Sequence, residues 1–400
     1  MGMNDEIENL VPDQEVDEQD VLEQEENAES IAIQRYAFNA FRIERSIRDI
    51  LNWVEKGKII VPEFQRDFVW NFNQSSRFIE SILLGLPIPD FFMFRLIDNQ
   101  EKSEKYILID GLQRYTTIKQ YVDGRFVQGS TNRPFKINNK ASQWYLKSYE
   151  KLSDVDKDYF QDYSLKINVF DSVENSERMQ KLYMTAIFER INTGSTKLSA
   201  QEVRNAIYAS DIVTQIKIDA SAKLFLDLLQ KDKSKYLQRC KNEEFYIRLL
   251  AYYQVYSQIK NGKACFIESD QESKITSSKD LMLCNFLYYC NKKHIDYLEL
   301  NKRLVEVLNI ILEFSPNAFC TVKRDSDVIS DRVHEVFSEA LVIAMLDGAS
   351  INITSDVFDA YKIALWRDQE TYISFFHETT DLDHVKERVE IMKKILSGAL

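Results

Sequence analysis

With 400 residues, 44% of them hydrophobic, and only ten Gly and six Pro, the chain is too long for one ordinary core and too poor in turn formers for an all-β fold. Its net charge of −12 argues at first against a nucleic-acid partner. Residues 1–30, however, hold twelve acids and no Lys or Arg, which leaves 51 acids against 51 bases in the rest of the chain, a formally neutral body.

An acidic stretch without aromatics cannot bury enough apolar surface to order itself, so residues 1–34 are expected to form a disordered tail. A solvating tail is the simpler reading, ahead of a DNA-mimicking or self-inhibitory one. The five cysteines, Cys240, Cys265, Cys284, Cys290 and Cys320, are odd in number and widely spaced, as buried thiols in a reducing compartment would be. An acidic start without a signal-peptide pattern, and no bilayer-length apolar run, predict a soluble, cytoplasmic protein without membrane association.

In chain order, the first helix is marked by Ile47, Ile50, Leu51 and Val54 on one face and by Gly57 as its stop. A short strand at 58–61 follows, then the aromatic loop from Pro62 to Trp70. A helix from about Asn73 puts Phe78, Ile79, Ile82 and Leu83 inward and stops at Gly85. Leu86-Pro87-Ile88-Pro89 is a rigid turn into a strand at 90–97. The strand at 105–109 runs into Asp110-Gly111 and a helix to about Asp123. After an irregular stretch, a strand is expected at 165–170. A helix capped by Ser176 comes next, then the break Asn192-Thr193-Gly194. The capping box of Ser199 and Glu202 opens another helix. Beyond about Ser210 only helices are expected, near 241–260, 279–292, 299–314, 329–347, 354–366 and 382–398, so the domain boundary is placed there.

The segment Tyr106-Ile107-Leu108-Ile109-Asp110-Gly111-Leu112-Gln113-Arg114 carries the clearest chemistry. An Asp-Gly turn between strand and helix leaves the first helical N–H groups facing solvent, where the helix dipole favours an anion. Arg114 can add a bidentate contact, Gln113 can orient a water or a phosphate oxygen, and Asp110 can hold Mg²⁺ or accept a proton. The alternative is that Asp110 only caps the helix and Arg114 pairs with a surface acid; residue types alone leave the two level. Gln65 and Arg66 form a second polar pair within an aromatic loop, as in a ligand cleft, although those aromatics could equally cover the sheet. Asn192, with Arg190 and Arg204 nearby, could form the far wall of the same site, or the Asn-Thr-Gly run could be a helix C-cap and turn.

Five ordered blocks then acquire a common meaning: Val61-Pro62-Glu63-Phe64-Gln65-Arg66 with Trp70; Ser81-Ile82-Leu83-Leu84-Gly85-Leu86-Pro87-Ile88-Pro89; Asp110-Gly111-Leu112-Gln113-Arg114-Tyr115-Thr116-Thr117; Phe188-Glu189-Arg190-Ile191-Asn192-Thr193-Gly194; and Leu198-Ser199-Ala200-Gln201-Glu202-Val203-Arg204-Asn205-Ala206. Together they resemble the N-terminal domain of GmrSD-type restriction endonucleases over roughly the first half of the chain. The resemblance implies an α+β architecture: a ParB/sulfiredoxin-like domain with a small mixed sheet over residues 35–210, followed by an all-α domain over 211–400. It also implies that Asp110, Gly111, Gln113 and Arg114 handle nucleotide phosphates; with the residue readings above, the expected catalytic set is Asp110, Gln113 and Arg114, and the expected binding set for a nucleoside triphosphate with Mg²⁺ is Gln65, Arg66, Gly111, Arg114 and Asn192, with Asp110 as the candidate metal ligand. The family commonly has Gln where this chain has Leu112, a position expected to face the core.

Full-length relatives of this kind carry a His-based nuclease domain. The four histidines here, His294, His334, His377 and His384, stand in no metal-binding or nuclease pattern, so the chain is expected to lack that half. The expected function is therefore a nucleotide-binding, NTP-hydrolysing sensor or regulatory component of a DNA restriction or phage-defence system, working with a partner nuclease or defence subunit. A non-catalytic DNA-binding adaptor is the alternative, and a stand-alone metal-dependent nuclease is a weaker one. The dense basic strip Lys231, Lys233, Lys235, Arg239 and Lys241 could touch nucleic acid, but Asp232, Glu243 and Glu244 dilute it and favour a solvated face.

Overall fold

A computed structural model of the chain describes residues 38–61, 68–98, 103–173, 176–191, 199–267, 270, 274–275, 278–323 and 328–400. The acidic tail, Gln65, Arg66 and Asn192 lie outside the described residues.

A five-stranded mixed sheet organises the N-terminal half. Its strands are β1 (Phe38–Ser46), β2 (Ile59–Ile60), β3 (Phe91–Asp98), β4 (Ser103–Asp110) and β7 (Ser164–Ser172), in the order β1-β7-β3-β4-β2. Strand β7 pairs antiparallel with β1 and parallel with β3, which in turn pairs antiparallel with β4. One face carries Phe91, Met93, Leu108, Leu165, Ile167 and Val169 into a core closed by helices α1 (Ile47–Glu55), α2 (Phe72–Leu83), α3 (Leu112–Val122) and α4 (Asp154–Asp162). The other face, with Phe94, Ile107 and Ile109, packs into a larger core shared with the helices of the C-terminal half.

Local chemistry explains where these helices begin. Ser46 accepts from the Asp49 amide at 3.1 Å while Asp49 takes the Ser46 amide at 3.3 Å, and Asn71 and Gln74 make the same reciprocal box for α2. Two pieces of strand depart from expectation. Strand β1 carries no clean alternation because it is a largely exposed edge strand. The stretch taken as irregular contains a hairpin, β5 (Arg125–Gln128) and β6 (Thr131–Pro134), closed by Gly129-Ser130, with Gly129 at φ +53°.

The C-terminal half is largely helical. It follows α5 (Glu177–Ile191) and α6 (Ala200–Ile207) with α7 (Asp211–Ala220), α8 (Lys223–Leu228), α9 (Lys233–Leu237), α10 (Lys241–Lys260), α11 (Lys279–Asn291), α12 (Tyr297–Phe314), α13 (Glu335–Leu346), α14 (Ser355–Arg367) and α15 (Leu382–Ser397). It is not all-α, however: β8 (Cys320–Val322) and β9 (Ile329–Val333) form a second hairpin where a helix from 329 was expected. The β-branched Val322, Ile329 and Val333 suit a pleated surface, and the helical run starts only after His334 caps it. No described helix is long and apolar enough to cross a membrane.

That cap makes a pH-sensitive joint. The His334 Nδ1 accepts from the Phe337 amide at 3.2 Å, and the ring stands edge-on to Trp366 and Phe376. Burial, helped by the positive charges of Arg248, Lys362 and Arg388, pushes its pKa from 6.5 down to about 4. The unfolded chain therefore takes up this proton first, and stability falls as pH drops from about 6.5 towards 4, by up to roughly 3 kcal/mol. Asn at this position keeps a cap acceptor but cannot titrate. The urea midpoint of His334→Asn should decline less steeply than the parent's over that pH window; parallel slopes would refute the assignment.

Candidate functional site

The end of β4 and the start of α3 meet at Asp110-Gly111. Gly111 sits at φ +112° as the N-cap of α3, and no side chain caps the helix, so its first amides are left to solvent or a ligand. A Cβ at this position would lie 2.4 Å from Cδ1 of Phe91. Gly111→Ala therefore combines a disfavoured backbone with a clash, and should cost about 1–3 kcal/mol in urea unfolding. An unchanged midpoint would show that the turn relaxes freely.

Arg114, one turn into the helix, folds back over the turn. Its Nη2 donates to Asp110 Oδ2 at 2.7 Å and to the carbonyl of Asp90 at 3.2 Å, while its guanidinium lies 5.3 Å from the centre of the Phe91 ring. The side chain is 14% exposed, and its Nε is buried with no hydrogen-bond partner. A guanidinium held on one edge and unsatisfied on another suits an anionic ligand.

Gln113 has a different post. Its Oε1 accepts from the amides of Val69 at 3.0 Å and Trp70 at 3.3 Å, so it ties the aromatic loop to the start of α3. The aromatics of that loop serve the core: Phe68 and Phe72 pack edge-on to Phe126, and Trp70 to Phe78. Leu112 is partly buried against the same cluster, as its apolar character requires.

Three residues that sequence spacing did not single out complete the surroundings. The Asp90 carboxylate accepts from Arg42 at 2.6 Å and from Asn168 at 3.0 Å, so the segment whose carbonyl holds Arg114 is itself pinned from two other strands. Arg42 and Asn168 pair across β1 and β7, and Asn168 in turn aligns with Phe92 and Asp110 through β3. Such a row is invisible until the sheet is assembled. Arg204, by contrast, forms no wall here: it is fully buried and pairs with Glu244 at 2.6 Å and Asp280 at 2.7 Å inside the helical half. Among the described residues, no group of three or more His, Cys, Asp or Glu could hold a metal ion.

Residues 47–209 match the family model of the GmrSD restriction endonuclease, N-terminal domain. The matched segment is a GmrSD-type N-terminal domain. The matched span runs from the start of α1 past the end of α6, taking in the Asp110-Arg114 turn and four of the five sheet strands. The match suggests a component of a restriction or phage-defence system. No curated protein is significantly similar to the chain.

Proposed function

We propose that the chain binds and hydrolyses a nucleoside triphosphate as the sensing or regulatory component of its defence system. The observation that carries this reading is Arg114, mostly buried and fixed by Asp110 and the Asp90 carbonyl beside the uncapped start of α3. The helix amides and the guanidinium offer a polyphosphate two kinds of donor from one turn. Gln113 holds the Val69-Trp70 loop against that turn and so shapes one side of the seat. Gln65 and Arg66, which precede that loop in the sequence, and Asn192, which follows α5, are proposed to complete the seat.

A bare carboxylate beside phosphates would repel them. Asp110 is suited to the site because one of its oxygens is already neutralised by Arg114. Its carboxylate, together with the phosphates themselves, would hold Mg²⁺, a set of the kind this ion commonly takes. Bound there, Mg²⁺ would screen the phosphate charge and favour departure of the terminal group. In-line water attack on the terminal phosphate would leave a diphosphate and inorganic phosphate, with Arg114 stabilising the charge that develops.

Calorimetric titration and phosphate-release assays on the full chain with each of the four NTPs and Mg²⁺ test the proposal. Micromolar-range binding accompanied by phosphate release is expected for at least one of them. Neither binding nor turnover with any of the four would overturn it.

A further inference from the structure

The formally neutral body does not distribute its charge evenly. Residues 124–151 contain six bases, Arg125, Arg133, Lys136, Lys140, Lys147 and Lys151, and a single acid, Glu150. Among the described residues none of these six is in an ion pair; Arg125, Arg133, Lys140 and Lys151 are exposed, and Lys136 and Lys147 half-buried. In the basic strip that stands out in the sequence, three of the five bases are paired. There Lys231 pairs with Asp331, Lys233 with Asp227 at 3.4 Å, and Arg239 with Glu202 at 3.9 Å. Density of bases along the chain and unneutralised charge on the surface thus fall in different places.

The 124–151 segment is also a built surface. Buried Phe126 and Phe135 anchor the β5–β6 hairpin, and Ile137 donates to the Lys147 carbonyl at 3.1 Å and accepts from the Leu146 amide at 2.9 Å, which ties the two ends of the 136–147 loop together. Asn138 and Asn139 then dock onto α2 through Asn73 at 2.8 Å and Glu80 at 2.9 Å, next to the exposed Arg77, another base outside any ion pair. The Arg133 guanidinium stacks 3.7 Å from the centre of the Phe72 ring, which fixes its plane at low entropic cost. Gln128 Nε2 reaches the Val69 carbonyl at 3.0 Å, so the surface is continuous with the loop that Gln113 holds.

We propose that this surface, made of the β5–β6 hairpin, the 136–147 loop and the adjoining end of α2, binds the phosphate backbone of double-stranded DNA. Bases spread along an extended segment and interleaved with short polar donors such as Thr131 and Asn132 suit a line of phosphates and read no sequence. An acidic protein would call for a buried apolar centre, and the exposed apolars here, Val127, Tyr145 and Leu146, are scattered. DNA held on this face lies beside the Asp110-Arg114 turn, so its binding and nucleotide binding share the loop at 68–70. The surface stands on its own observations and does not depend on the nucleotide reading.

Fluorescence anisotropy of the full chain with a labelled duplex of about three helical turns tests it across a salt series. Each phosphate neutralised contributes about −0.9 to the slope of log K against log salt, so the triple variant Lys136→Ala, Lys140→Ala, Lys147→Ala should flatten that slope by about 2–3 and weaken binding at least about tenfold. Lys231→Ala with Lys233→Ala should leave it unchanged, and the urea midpoint of the triple variant should match the parent's. Arg133→Lys, which keeps the charge and the fold but not the stacked plane, should weaken binding by about three- to tenfold. NTP binding should survive in the triple variant, which separates a failure of this proposal from a failure of the nucleotide site. Absence of duplex binding, an unaltered salt slope in the triple variant, or binding of polyglutamate in place of DNA would overturn it.

Discussion

Glu339→Ala should destabilise the helical half by about 3–5 kcal/mol, the scale on which removing one partner leaves buried charge uncompensated. Glu339 is fully buried on α13, where Oε2 accepts from Arg248 Nε at 2.7 Å and Oε1 from Arg388 Nη2. Arg248 comes from α10 and Arg388 from α15, so one carboxylate ties three helices together. Arg388 has further support from the Thr379 carbonyl at 2.5 Å, and Arg248 from Glu335 at 3.1 Å. Carbonyls can solvate a guanidinium but cannot neutralise it, and removal of Glu339 strands a positive charge where water is excluded. In urea the midpoint should fall by about 1 M or more, whereas Glu335→Ala, whose side chain is 27% exposed, should shift it by much less. A Glu339→Ala midpoint within about 0.3 M of the parent would show that water reaches the two arginines.

That buried network also marks where sequence reasoning stopped. Periodicity located α2, α3, α10 and α15 closely because one-sided apolar spacing and capping residues are local signals. It missed β1, whose mostly exposed residues show no alternation, and it ran α13 six residues too far back through β9. In the candidate site, the Asp110-Gly111 turn was legible because strand, glycine and helix are contiguous. The clamp on Asp90 was not, since Arg42 and Asn168 are 126 positions apart and meet only through strand pairing. Arg204 shows the converse case: it is near an interesting motif in the sequence, yet its partners Glu244 and Asp280 lie on distant helices, and it is completely buried. Burial of a charge is decided by long-range partners, which spacing does not encode.

Arg114→Ala should lower NTP turnover by about two to three orders of magnitude, the loss seen when one preorganised charge-stabilising donor is removed. The fold should tolerate the change. Arg114 makes one ion pair, to an Asp110 that is a third exposed, and one carbonyl hydrogen bond, worth together about 1–2 kcal/mol. Activity and stability are therefore expected to separate widely. Arg114→Lys sharpens the test, because it restores a positive charge without the planar fork that can hold Asp110 and the Asp90 carbonyl on one edge and a phosphate on another. Binding should recover more than turnover in that variant, since a point charge attracts a polyphosphate but does not track the charge that moves onto the departing group. A structural Arg114 would behave otherwise: activity would fall only as far as stability does, and Lys would restore both alike. Turnover within about threefold of the parent in Arg114→Ala would remove the residue from catalysis and leave the turn as a structural strand-to-helix connection.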